Sequence, residues 1–156
     1  MLERIKNAFT AIISDINFED SINIHHNYAN LEEHFGEKVW VHRKGATSAR
    51  QGEIGIIPGS QGTKSYIVEG KGNPESFMSC SHGSGRIMGR NEAVRTLDLR
   101  KEIEKLESQG ILHAIRGRRD LEEAASAYKD IEVVIKNQED LVKILSVLKP
   151  LAVIKG

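Results

Sequence analysis

Apolar residues in the first fourteen positions fall at Leu2, Ile5, Phe9, Ile12 and Ile13. That three-and-four spacing lines one face of a helix, so an amphipathic helix is predicted over residues 1–14. Between residues 26 and 90 the rhythm is lost. Short β-rich runs stand out instead: KVWVH (38–42), EIGII (53–57) and SYIVEG (65–70) each predict a strand. PGSQGTK (58–64) joins the last two through Pro58, Gly59 and Gly62, as a tight turn or a phosphate-sized loop. From Asn91 helical spacing returns, with Val94, Leu97, Ile103 and Leu106 in register and Gly110 as a stop. DLEEAASAYKDIEVVIK (120–136) and NQEDLVKILSVLK (137–149) extend the helical expectation until Pro150. LAVIKG then reads as a terminal strand or extended tail.

The pattern predicts one α+β unit in three textures. A helix occupies residues 1–19, short strands with long glycine-rich loops fill 20–90, and 91–156 is mainly helical. Most of the chain's 14 Gly lie in the middle stretch. Glycine-rich backbone is costly in entropy to order and buries little. Loops of this kind are held by a surrounding scaffold, and they carry sites more often than cores do.

Bulk properties narrow the class. A length of 156 residues with 39% hydrophobic and 28% charged content suits one soluble globular domain with a real core. No run of 18 apolar residues exists, which excludes a membrane-spanning helix. The N-terminus carries Glu3, Arg4 and Lys6 and lacks a small-residue cleavage site, so no secretory signal is expected. Cys80 is the sole cysteine; no internal disulfide can form, and a cytoplasmic location is expected. Formal net charge is zero, yet residues 42–100 hold nine Lys/Arg against five acids. That mild excess suits a phosphate-bearing ligand and is too weak to argue for nucleic acid unaided.

Four stretches carry candidate chemistry. In SCSHGSGRIMGR (79–90), a neutral His82 offers a ring nitrogen to an electrophile or a metal. Gly83 and Gly85 let the backbone approach phosphate, successive amides there can form an anion nest, and Arg86 and Arg90 can meet developing charge. A loop histidine beside a helix start is the equally open alternative. HHNYA (25–29) offers one metal ligand and one supporting histidine, because adjacent side chains diverge; polar loop residues beside a strand are the alternative. IIPGSQGTKSY (56–66) offers Ser60, Thr63 and Ser65 hydroxyls on a glycine loop, or simply a hairpin turn; the GxxxxGK[ST] phosphate loop is absent. VHRKGATSAR (41–50) sets His42, Arg43, Lys44 and Arg50 around a glycine, as a backbone clamp for nucleic acid or a bare basic loop. Cys80 reads as a small packing residue.

Taken in order, HHNYA, VHRKGATSA, IIPGSQGTKSYIV, GNPESF, SCSHGSGRIMGR and the terminal KG resemble the C-terminal part of the RtcB-type RNA-splicing ligases, across residues 20–156. The resemblance implies an enzyme that joins RNA ends bearing a 3′-phosphate or 2′,3′-cyclic phosphate to 5′-hydroxyl ends, in tRNA splicing or RNA repair, with GTP and manganese. It implies that His82 is the catalytic nucleophile and becomes guanylylated. It implies a manganese ligand at His26, which also borders the GTP, and a nucleotide contact at Asn27. Pro58, Gly59, Ser60, Gln61 and Ser65 match the loop around the guanosine, with Gln61 where many relatives carry methionine. Gly83, Ser84 and Gly85 match the turn after the nucleophile. Lys155 matches a lysine that reads guanine, and Tyr128 is expected to face the base.

Members of that family are more than twice this length, and the remaining manganese ligands (an aspartate, a cysteine and further histidines) come from an N-terminal portion. The expectation is therefore an incomplete C-terminal ligase half, inactive alone, exposing apolar surface, with an N-terminal half acting in trans and an archease-like activator as further partners. The alternatives are a non-catalytic GTP- or RNA-binding remnant, or a structural partner of a separately encoded half.

Overall fold

A computed structural model describes residues 2–18 and 21–154. The first element is helix α1 (Leu2–Ile12). Strands β1 (Asn27–His34) and β2 (Glu37–Lys44) follow as an antiparallel hairpin. Its two-residue turn places Phe35 at φ 53° and Gly36 at φ 80°. Positive φ at both positions matches the right-handed strand twist, and Gly36 takes it without strain. β3 (Ala46–Ser48) pairs antiparallel with β6 (Ser79–Ser81). β4 (Ile54–Ile57), β5 (Ser65–Gly70) and β8 (Val142–Leu148) make the three-stranded sheet, in the order β4-β5-β8. A short parallel pair joins β7 (Leu112–His113) to β9 (Ala152–Val153). Helices α2 (Arg90–Thr96), α3 (Leu99–Glu107) and α4 (Ile131–Lys136) complete the set. No helix among the described residues is long and apolar enough to cross a membrane.

The α+β expectation holds, and the expected strand at 65–70 coincides with β5. Strict alternation turns its Tyr66 and Val68 inward, where they meet Ile57, Cys80, Ile131, Ile135 and Val142 in the main core. A smaller cluster packs Leu106, Ile111 and Ile115 against Leu99, Ile103 and Val153.

The mainly helical C-terminal end is corrected. Residues 142–148 form β8, which pairs antiparallel with β5 from Gly70↔Val142 to Ser65↔Leu148 across a bulge at Ile67/Val68. Leu141, Ile144, Leu145 and Leu148 fit helical spacing, but the run is also rich in Val, Ile and Leu, and the open edge of β5 decides. Residues 120–136 give only the short α4 after two 3₁₀ turns, Arg118–Glu123 and Ala125–Ala127. The helix from Asn91 is likewise two helices. It breaks at Asp98, whose carboxylate accepts from the Lys101 amide at 3.0 Å and starts α3 afresh. Gly110, at φ 70°, is the predicted stop.

Much apolar surface is uncovered. Leu2, Ile5, Phe9, Ile12 and Ile13 of the α1 stretch are all exposed, as are the cross-strand pair Leu31 and Trp40 and, on β8, Ile144, Leu145, Val147 and Leu148.

Candidate functional site

His82 owes its place to β6. The β3–β6 pairing ends at Ala46↔Ser81, and the next amide, that of His82, donates to Gly45 O at 3.4 Å. Beyond it the chain folds back on the end of β4. The Ser84 amide donates to Pro58 O at 3.1 Å, and a Cβ on Gly83 would stand 3.0 Å from that same oxygen. Glycine at 83 is what permits the approach. The Gly83 amide donates to Ser81 Oγ at 3.4 Å, and Ser81's own amide donates to Gln138 Oε1 at 2.9 Å. The amides of residues 81–84 are thus all directed at protein acceptors, and the anion nest expected after His82 does not form from them.

The His82 and His26 rings lie 5.4 Å apart between centroids, tilted by 47°. His82 Nδ1 is buried and has no hydrogen-bond partner. Burial, and after it the nearby His26, push the His82 pKa below the usual histidine value, which keeps the imidazole neutral. The two histidines border a cavity of about 620 Å³, lined also by Pro58, Gly59, Gly83, Ser84 and Gly85. Ser84 Oγ is buried without a partner. Tyr128, Arg86 and Arg90 form a further stretch of its wall.

That wall has work of its own. Arg86 donates to Met88 O (3.0 Å), Glu122 O (2.5 Å), Glu123 Oε2 (3.2 Å) and Tyr128 Oη (2.9 Å), and it lies over the Tyr128 ring at 4.8 Å. Tyr128 Oη donates to Glu123, and Arg90 Nε donates to the other oxygen of that carboxylate at 2.9 Å. Arg86 therefore holds the wall together and is not a spare cation. Arg90, its side chain 65% exposed, keeps most of its guanidinium free for an anion.

Other expected residues fall elsewhere. Asn27 opens β1, exposed and opposite Lys44. Ser60 spends its amide and hydroxyl on Thr63 Oγ1, at 2.6 and 3.0 Å, and Ser65 Oγ accepts from the Gly59 amide at 3.3 Å. These hydroxyls close the 58–65 loop. Gln61 borders a separate cavity of about 270 Å³ against α3, beside Glu102, Lys105 and Gln109. Lys155 lies outside the described residues. No group of three or more His, Cys, Asp or Glu side chains that could hold a metal is present among the described residues. His26 alone does not make a manganese site, since that ion prefers several oxygen and nitrogen donors.

In the basic stretch His42, Lys44 and Arg50 are exposed, but the expectation for Arg43 is corrected. Arg43 is 1% exposed, and all five of its N–H groups are used. They reach Glu32 Oε1 (2.5 Å) and Oε2 (3.0 Å), Tyr28 Oη (3.3 Å), Ser79 Oγ (3.0 Å) and Phe77 O (2.9 Å). No nucleic-acid phosphate can reach it. Glu32 also bonds His34 at 3.0 Å and Arg50 at 3.1 Å. Sequence reasoning missed Glu32, Glu123 and Gln138. An acid on the inward face of a polar strand, at alternation with Tyr28 and His34, is the only signal for the first, and nothing flags the other two.

Comparison with known proteins identifies the family. The family described as tRNA-splicing ligase RtcB matches residues 1–156, and the chain belongs to it. It is 47% identical over 140 residues to an RNA-splicing ligase RtcB of Escherichia coli K12, covering 88% of this chain and 33% of that protein. It is 38% identical over 164 residues to a tRNA-splicing ligase RtcB of Archaeoglobus fulgidus (91% and 34%). The corresponding figures for that of Nanoarchaeum equitans are 37% over 166 residues (92% and 35%). The chain spans about a third of the length of these relatives.

Proposed function

We propose that this chain supplies the nucleotide-accepting histidine and part of the guanosine pocket of a GTP-dependent RNA ligase that seals 3′-phosphate or 2′,3′-cyclic phosphate ends to 5′-hydroxyl ends. The observation that carries the reading is His82 itself: a half-buried imidazole kept neutral, with Nδ1 sealed away, on the wall of a nucleotide-sized cavity. Its Nε2 lone pair attacks the α-phosphorus of GTP. A P–N bond forms, the bond to the β-phosphate oxygen breaks, and pyrophosphate leaves with the electron pair. An oxygen of the RNA 3′-phosphate then attacks the same phosphorus, the P–N bond breaks with its electron pair returning to Nε2, and neutral imidazole departs; a 2′,3′-cyclic end is first opened by water to the 3′-phosphate. Last, the 5′-hydroxyl attacks the activated 3′-phosphate, loses its proton to solvent and displaces GMP. One histidine divides an uphill joining into three displacements.

The guanosine contacts fall to the wall that Pro58, Gly59, Tyr128 and the 83–85 turn share, with Ser84 Oγ as a waiting polar partner. Arg90 is the cation placed to meet phosphate charge. Manganese belongs to the reaction as the family implies it, but the donors beyond His26 must come from outside the described residues. The same third-length coverage and the uncovered faces of α1 and β8 support a partner portion of the ligase fold that completes the site.

The test is covalent labelling with α-phosphate-labelled GTP and manganese, with and without the N-terminal portion of a family member added in trans. Label is expected on His82 only in the completed assembly, and none with His82→Ala. Strand sealing by the His82→Ala assembly refutes the mechanism. GTP binding without label in both conditions would instead identify a nucleotide-binding remnant.

A further inference from the structure

We infer that Arg43 is the positioning residue that fixes how far the His26 ring stands from His82, an inference that rests on the proposed role of that pair. The β1–β2 hairpin is a sheet of its own, hydrogen-bonded to no other strand among the described residues. One residue, Gly45 at φ 76°, links β2 to β3, the partner of β6, and its carbonyl accepts the His82 amide; the hairpin's tilt about that single joint is left to side chains. His26 immediately precedes this hairpin and His82 immediately follows β6, so any rocking of the one on the other changes the 5.4 Å ring separation.

Arg43 spans the joint. Three of its N–H groups hold the hairpin, through Glu32 Oε1, Glu32 Oε2 and Tyr28 Oη. The other two hold the approach to the nucleophile, through Ser79 Oγ and Phe77 O. Tyr28 is two residues beyond His26, and Ser79 is three before His82, so the span between the rings and the clamp is short on both sides. The planar, five-donor fork is what makes this possible. A lysine ammonium has three donors radiating from one point and cannot reproduce these five contacts. A weaker second tie runs from Thr47 Oγ1 to His25 O at 3.4 Å.

The experiment follows nuclear Overhauser contacts between the His26 and His82 ring protons in the full chain. Wild type is expected to show them. Arg43→Lys keeps the charge against Glu32 yet should lose the ring–ring contact, while contacts between Ile56 and Ile67, in a sheet that Arg43 does not touch, persist and certify the fold. In the completed assembly the same variant should lower the maximal rate of His82 labelling by about 10- to 100-fold, with less change in the GTP needed for half-saturation. Ser79→Ala removes one arm only and should weaken the ring–ring contact without unfolding. Retention of that contact in a folded Arg43→Lys overturns the inference; if Arg43→Lys does not fold, retention in Ser79→Ala overturns it. Because ring proximity is read without GTP, a wild-type assembly that takes no label sinks the proposed function and still leaves this question answerable.

Discussion

Replacing Glu32 by glutamine should weaken the fold more than any other single-atom exchange on the hairpin. The side chains of Glu32 and Arg43 are 4% and 1% exposed, so their charges face each other with little solvent between. Glutamine keeps one acceptor oxygen but puts an NH₂ against an N–H of the guanidinium. Arg43 is left with a buried charge and no counter-ion. Removing one partner of such a pair costs about 3–5 kcal/mol, and the retained acceptor points to the lower end, about 3 kcal/mol. For a chain of this size that lowers Tm by about 6–12 °C. Urea unfolding followed by circular dichroism measures it, in a cycle with Arg43→Met and the double variant. The double variant should cost less than the two singles together, by about 1 kcal/mol or more, because no orphaned charge remains. The Arg43 hydrogen bonds, joined by those from His34 and Arg50 and opposed by burial, hold the Glu32 carboxyl well below its usual range. A depressed carboxylate stabilises the fold above its unfolded pKa, about 4.3, and that contribution is lost as pH falls through the folded value. The gap between wild type and Glu32→Gln should therefore stay constant from pH 7 to 5 and close only in stronger acid. A Glu32→Gln protein within about 0.5 kcal/mol of wild type at pH 7 would refute the reasoning, since that is what an unremarkable surface exchange costs.

Two further outcomes are expected. Gly83→Ala places a methyl group 3.0 Å from Pro58 O and should slow His82 labelling in the completed assembly while leaving the urea midpoint close to wild type; labelling at the wild-type rate would show that the turn has slack. Burial, with Glu53 adding, pushes the Cys80 thiol up to about 11, so iodoacetamide at pH 8 should modify the native chain far more slowly than the urea-unfolded chain, and equal rates would contradict the core position of Cys80.

The sequence was most legible where a local pattern and its tertiary setting agree. SYIVEG alternates and becomes β5, and Gly110 stops a helix as its freedom of φ suggests. β8 was misread because its apolar residues satisfy two periods at once, and only the vacant side of β5, more than seventy residues earlier, chooses between them. β1 was hidden for the opposite reason: NYANLEEH has few apolar residues, and its inward face carries Tyr28, Glu32 and His34. Within the candidate site, His82, His26 and the glycine turn stand out in the sequence because their residue types announce chemistry. Arg43 was misjudged because its charge looks the same on paper whether solvated or matched, and its match, Glu32, sits eleven residues away across a hairpin. The Ser60 and Ser65 hydroxyls close their own loop here, a bonding that sequence alone does not tell apart from a hydroxyl awaiting a ligand.

β8 is the last strand of its sheet among the described residues, and its outer row of amides and carbonyls faces outward beside Ile144, Leu145, Val147 and Leu148. A ladder with vacant rungs and greasy rails recruits whatever extended chain comes near it. Concentrated solutions of this polypeptide will therefore tend to zip copy onto copy through residues 142–148, against the charge of Lys143 within the strand, that of Lys149 just beyond it, and the bulge opposite Ile67/Val68.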